Sequence, residues 1–192
     1  MRLWTIQPIS VIDILEKTGE YTCEKSLSIN YEDFRDAYEW LVKQMDKKNI
    51  VHPDGLELPL WAWHTYDGIQ QQPNVEEVKG PGKCVCIEFE IPDNKVCLTD
   101  YNAWHYVLNR WWLDDSTNEE EWDKNHEWFD NLNFKTQDKI MKESWKKIFD
   151  ITFIDTDWSC NGKYVQATFW KLEKSMIKSV KYFEVNEVEN DD

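Results

Sequence analysis

Hydrophobic and polar positions alternate most cleanly from Cys84 to Ile91 (CVCIEFEI). Val85, Ile87, Phe89 and Ile91 fall on one side and Cys84, Cys86, Glu88 and Glu90 on the other, which is the period of a strand. Pro92-Asp93-Asn94 is turn chemistry, and Lys95 to Thr99 predicts a second short strand, so Cys84–Thr99 reads as a hairpin. Asp100 is placed to cap a helix that carries Trp104, His105 and Leu108. This strand, turn, strand, cap and helix unit is expected at the centre of the fold.

The rest of the chain divides by the same patterns. Leu3 to Gln7 predicts a strand that ends at Pro8 and is tucked into a sheet interior. Ser10 caps a short helix with Val11, Ile12, Ile14 and Leu15 on its apolar side, and Gly19 stops it. Glu20 to Cys23 predicts a short strand. From Asn30 to Lys47, Phe34, Ala37, Tyr38, Leu41, Val42 and Met45 recur at helical spacing. Pro59 to Thr65 is a strand with Trp61, Trp63 and Thr65 on one face and Leu60, Ala62 and His64 on the other. Tyr66 to Gly82, with its Gly, Pro and Gln, is a long surface loop of the kind that forms lids. Thr117 caps an acidic helix whose inner side is Trp122, Trp128, Phe129 and Leu132, and Thr136 caps another that runs to Phe149. Ile151–Ile154, Tyr164–Leu172 and Ile177–Phe183 predict closing strands.

Strand runs interrupted by helix runs predict an α+β fold: a single domain over residues 1–183 with a mixed or antiparallel sheet and inserted helices. Residues 184–192 read as a disordered acidic tail.

Charge changes this picture. The net charge is −15, and it is concentrated. Asp114–Asp130 holds eight acids against Lys124 alone, and Glu184–Asp192 holds five acids and no base. No Lys/Arg cluster is present to neutralise phosphates, so binding of duplex DNA is excluded. Five cysteines, no apolar run of transmembrane length and a strand directly after Met1 predict a reduced, cytoplasmic protein with no membrane segment and no leader.

Aromatic residues make up 15% of the chain, and 12 of them are Trp. Such rings either fill a core or line a cleft that stacks a flat ligand. Candidate chemistry is sparse. Gly80-Pro81-Gly82-Lys83 has the composition of a phosphate loop, but a strand follows it where a helix is needed. A Cys84, Cys86 and His64 metal site would require the strands Pro59–Thr65 and Cys84–Ile91 to pair; buried cysteines are the plainer expectation, and no metal is expected. His105 reads as a core histidine bonded to backbone, and Glu88 and Glu90 as the solvated face of a strand.

Three stretches together, Arg2–Gln7 (RLWTIQ), Val85–Asp93 leading into Ala103–Asn109, and Gln166–Trp170 (QATFW), resemble a family of short bacterial and phage proteins catalogued as a domain of unknown function. A second resemblance is to the ADP-ribosyltransferase superfamily: Arg2-Leu3-Trp4-Thr5 followed by Val11–Leu15 and Gly19, then the aromatic strand Trp61–His64, then a late strand with Gln166. That resemblance implies an ADP-ribosyltransferase-like fold with NAD or a related small nucleotide as ligand. Arg2, Thr5 and Trp63 would bind the cofactor, and His64 and Gln166 would be catalytic. The superfamily's late glutamate is replaced here by Gln166. The alternative reading is non-enzymatic: an inhibitor or interaction module of phage or mobile-element origin, whose acidic helix and tail dock on a basic protein surface.

Overall fold

A computed structural model describes residues 1–24, 31–78 and 82–185. The fold is α+β and is built on a six-stranded sheet in which every neighbouring pair is antiparallel. Its strands are β1 (Arg2–Pro8), β3 (Leu60–Thr65), β4 (Gly82–Glu90), β5 (Cys97–Asp100), β8 (Val165–Phe169) and β10 (Ile177–Val185), in the order β10-β4-β1-β3-β8-β5. Two short ladders lie apart from it: β2 (Glu20–Tyr21) with β9 (Leu172–Glu173), and β6 (Ile154–Asp155) with β7 (Cys160–Asn161).

The expected hairpin does not form. β4 is held on one edge by β1 and on the other by β10, along nearly its whole length. No edge is left for β5, so Pro92–Val96 turns through a short 3-10 segment and β5 pairs with β8 at the far side of the sheet. The two central strands are therefore β1 and β3, and the Lys83–Asn109 unit spans the sheet instead of forming its centre.

Alternation sorts the side chains onto two faces. Register partners share a face in an antiparallel sheet. Leu3 lies opposite Phe89, Leu60 opposite Phe169 and Ala62 opposite Ala167, which builds one aliphatic face. The helix α1 (Ser10–Thr18) covers it with Val11 and Leu15. The other face carries Trp4, Trp61 and Trp63. The helices α2 (Arg35–Lys47), α3 (Tyr101–Leu108) and α5 (Phe134–Ser144) cover part of it with Leu41, Met45, Trp104, Val107 and Met141. Trp145 and Trp170 complete that second core, each donating its indole N–H to a backbone carbonyl, of Trp111 and Ile50 respectively.

Local chemistry moved several boundaries. Ile9, not Ser10, is the cap residue of α1; its N–H is bonded to the carbonyl of Lys83, which ties this helix start to β4. α2 begins at Arg35, after Phe34, whose side chain makes no cap bond; Asn30, the expected start, lies outside the described residues. The helix α4 (Glu119–Asp130) is capped by Asn118, and α5 by Asn133, in place of Thr117 and Thr136, since each Asn oxygen reaches the amide three residues on. α5 ends at Ser144 and continues as a 3-10 turn to Phe149. The expected strand Tyr164–Leu172 is two strands in different sheets. β10 includes Glu184 and Val185, paired with Lys83 and Gly82, so the sheet reaches into the expected tail; 186–192 lie outside the described residues.

α4 buries no residue fully. Trp122 and Trp128, expected on its inner side, are 42% and 52% exposed. The helix is attached by a ring stack around Trp112, which lies flat on Phe129 at 4.7 Å. Arg110 joins the helices beneath, bonding Asp36 of α2 at 2.6 Å and Asp138 of α5 at 3.2 Å.

Candidate functional site

The aromatic face changes its cover where the helices stop and the 66–78 loop begins, and a cleft of about 460 Å³ opens there. Its wall starts with Trp63, at the end of β3. The chain then reverses through Asp67-Gly68, both with positive φ (55° and 78°), the geometry of a type I′ turn. Tyr66 and Ile69 bridge across it. This turn is pinned from outside: the Gly68 N–H donates to the Lys163 carbonyl at 2.8 Å, and Lys163 pairs with Asp155 at 2.9 Å.

Four rings result, each against the next. Tyr101 lies 5.2 Å from Trp63, Trp63 5.5 Å from Tyr66, and Tyr66 5.2 Å from Tyr164. They come from four separate places: the end of β3, the loop, the start of α3 and the turn before β8. Asp100 holds the last two together. One of its carboxylate oxygens caps α3 at Ala103 N–H and the other accepts from Gly162 N–H, both at 2.7 Å. Asp100 is buried, and desolvation raises its pKa despite those bonds. The Tyr101 N–H also donates to the Tyr164 carbonyl at 2.8 Å.

The rim is polar. Asn74 caps a 3-10 turn, Val75–Glu77, and its amide donates to Glu77 Oε1 at 2.9 Å. The Tyr66 hydroxyl donates to the other oxygen of Glu77. These bonds, Tyr66 first, hold the Glu77 carboxyl below its ordinary pKa, so it is ionised at neutral pH. Burial, followed by Glu77, pushes the Tyr66 phenol up to about 12. Among the described lining residues there is no Lys, Arg, His, Ser or Cys. The arrangement is suited to stacking a flat ring; it offers no recognisable nucleophile.

Of the sequence candidates, Trp63 lines this cleft and the others lie elsewhere. Arg2 is on the same sheet face but is engaged by Glu88 at 3.3 Å and Glu90 at 3.8 Å. Glu90 is shared with Lys178 at 3.1 Å, so the two glutamates form a cross-strand ion network on that face. Thr5 is buried, donates its hydroxyl to the Trp61 carbonyl at 2.7 Å and accepts from Gln7. His64 follows Trp63 at a register shift of the β3–β8 ladder and is half-buried, its Nδ1 2.9 Å from Thr65 Oγ1. Burial, and then the nearby amino terminus, lower its pKa. Gln166 lies one strand over, in register between Trp63 and Thr99. The Thr99 hydroxyl is buried beside it without a hydrogen-bond partner among the described residues.

Other candidates resolve simply. His105 Nδ1 sits 2.9 Å from the Tyr101 carbonyl. Strands β3 and β4 are separated by β1, so Cys84, Cys86 and His64 do not gather. Among the described residues no three His, Cys, Asp or Glu side chains are grouped to hold a metal. All five cysteines are unpaired, and desolvation raises Cys86 and Cys97 to about 11, so they are inert thiols. No helix of the described residues is long and apolar enough to cross a membrane.

A family model described as a domain of unknown function, DUF3841, matches residues 2–178. The chain belongs to that family. The match takes in β1 through the start of β10, hence the whole ring-lined cleft of this DUF3841 domain. No curated protein and no solved structure matches the chain.

The cleft's own residues were hidden from sequence reasoning apart from Trp63. Tyr66, Glu77, Tyr101 and Tyr164 are spread over about half the chain and share no motif. The available signal was indirect: an Asp-Gly turn directly after an aromatic strand, leading into a long loop of low apolar content.

Proposed function

We propose that this DUF3841 domain is a small-molecule-binding module that stacks a flat ring, such as a nucleobase or nicotinamide, in the cleft between β3, α3 and the 66–78 loop. The observation carrying it is the unbroken series of rings Tyr101, Trp63, Tyr66 and Tyr164, at 5.2–5.5 Å from one another around about 460 Å³. Pockets of this size, largely aromatic with a few placed polar groups, are typical ligand sites. Asn74, Asn102 and Glu77 supply those groups.

The reading is one of binding, not of group transfer. Arg2 is occupied by two glutamates, His64 is bonded to Thr65, and Gln166, although opposite Trp63 in register, is not among the described lining residues. Of the residues that the ADP-ribosyltransferase resemblance implies, Trp63 alone is among the described lining of the cleft; Arg2, Thr5, His64 and Gln166 are not. Calorimetric titration of the full chain with adenosine, nicotinamide and NAD tests the proposal. At least one should bind with a dissociation constant of millimolar or better, and Trp63→Ala should abolish the heat. Silence from all three at millimolar concentration sinks it.

A second reading is favoured by α4. Exposed Trp122 and Trp128 stand among its carboxylates, with Trp111 and Trp158 also exposed. Rings interleaved with acids suit Lys- and Arg-rich polypeptide, through cation–π and ionic contacts together. A basic peptide should quench the Trp emission and lose affinity steeply with salt. Unchanged emission on saturating peptide removes this reading.

A further inference from the structure

The charge of the cleft narrows its ligand further, granted the reading that it binds a flat ring. The faces of Trp and Tyr rings are negative and attract cations. Four such rings line this cleft, and the single ionised group among its described lining residues is the Glu77 carboxylate. That carboxylate is hydrogen-bonded at both oxygens, one to Tyr66 and the other to Asn74 at 2.9 Å. Its charge is therefore presented at a fixed place beside the rings.

Among the described lining residues anions have no cationic receptor. The one helix that starts at the cleft, α3, has its positive end occupied already, because Asp100 caps Ala103 N–H at 2.7 Å and Tyr101 N–H is taken by Tyr164. Lys163, the nearest described cation in sequence to Tyr164, is held outside by Asp155 and Asp67. Among the described lining residues a phosphate or carboxylate would find neutral amides and hydroxyls but no cation, and would be repelled by Glu77.

We propose that the cleft is selective for a flat ring carrying a fixed positive charge, an N-alkylated pyridinium or similar heteroaromatic monocation, with Glu77 as counter-ion. Rings and carboxylate then act on the same charge, the rings through cation–π attraction and Glu77 through an ionic contact at the exposed rim.

The test compares near-isosteric probes on the full chain by calorimetry: N1-methylnicotinamide (cation), nicotinamide (neutral) and nicotinate (anion). The cation is expected to bind at least about tenfold tighter than the neutral ring, and the anion weakest. Glu77→Gln should lower the affinity for the cation by at least about tenfold and leave that for nicotinamide within about twofold. Glu77 is on the exposed rim, so this variant should fold, which circular dichroism checks. Equal affinities for cation and neutral ring, or a preference for the cation that survives Glu77→Gln, overturn the charge selectivity while ring binding stands. Failure of all three probes to bind overturns both.

Discussion

The two faces of one sheet are built differently, and the contrast locates the site. On the α1 side, Leu3, Val85, Ile87, Phe89, Ala167 and Phe169 are essentially inaccessible, and the buried Thr5 hydroxyl beside them is satisfied locally by the Trp61 carbonyl and Gln7. Such a face is closed by a single short amphipathic helix. The opposite face carries Trp4, Trp61, Trp63, Gln166, Thr99 and a run of glutamates. Rings and polar groups cannot be sealed as simply: indole N–H groups need carbonyls, and carboxylates need cations or water. Three helices cover one part of that face and a loop covers the rest. The cleft lies where the cover changes. Aliphatic alternation produces stability, while the aromatic face, which closes less completely, leaves room for a ligand.

This contrast predicts a ranking of substitutions. Phe89→Ala, which removes a ring packed 5.0 Å from Phe169 in the dry core, should destabilise by about 3–5 kcal/mol in urea unfolding. Trp63→Ala, on the half-exposed cleft wall, should lose roughly 1–2 kcal/mol and its effect should appear chiefly in binding. The reverse ranking would break the distinction between the two faces.

Next comes the turn that carries Tyr164. Gly162 has φ of 68°, and a Cβ there would lie 2.5 Å from the Ile151 carbonyl oxygen. Gly162→Ala should lose roughly 2–3 kcal/mol, whereas Gly55→Ala, with φ of 81° but nothing within 4 Å, should lose only the left-handed backbone cost of about 1–2 kcal/mol. Similar losses at both sites would mean that the turn is not held against its neighbours as described.

Asp100 sharpens the point further. In Asp100→Asn only one of the two amides it serves keeps an acceptor, so a loss of about 1–3 kcal/mol is expected at neutral pH. The pH dependence gives a second handle. Because burial raises this carboxyl's folded pKa above its unfolded value near 3.9, the folded state binds the proton more tightly. Asp100 therefore contributes a fall in stability as pH rises from the unfolded pKa through the folded one. Subtracting the Asn variant's stability curve from that of the native protein should leave such a fall; a difference that rises with pH over that window would contradict it.

The smallest effect is expected outermost. Trp128→Ala on α4, 52% exposed, should change stability by less than about 1 kcal/mol, although it should weaken any basic-peptide binding. A larger loss would show that the ring stack on Trp112 is part of the core.

Much of this was legible in the sequence. Period-two alternation gave the strands, and the three- and four-residue spacing of Ala37, Leu41 and Met45 gave α2. Asp100 was readable as a cap because its side chain acts within three residues. Gly19 was readable as a helix stop, and it sits there with φ of 80°. The misplaced caps at Thr117 and Thr136 differ from the observed Asn118 and Asn133 by one and three residues, a choice made between chemically similar side chains.

What alternation could not say is which strands pair. The hairpin expected at Cys84–Thr99 is sound local chemistry, but both edges of β4 are claimed by strands distant in the chain, β1 and β10. The same limit hid the site. Local patterns do say that Trp63 and His64 point to opposite faces; they do not say what covers each face. That Trp63 meets Tyr101 and Tyr66, and Tyr66 meets Tyr164, follows from a long-range contact, Asp100 to Gly162, and from a turn docked on Lys163. The sequence by itself determined the α+β elements, the two-faced strands and the concentration of acid in α4, because these depend on neighbours along the chain. Strand order, the loop's position over the aromatic face and the gathering of four rings around Glu77 were decided only in three dimensions, because they depend on which distant surfaces bury one another best.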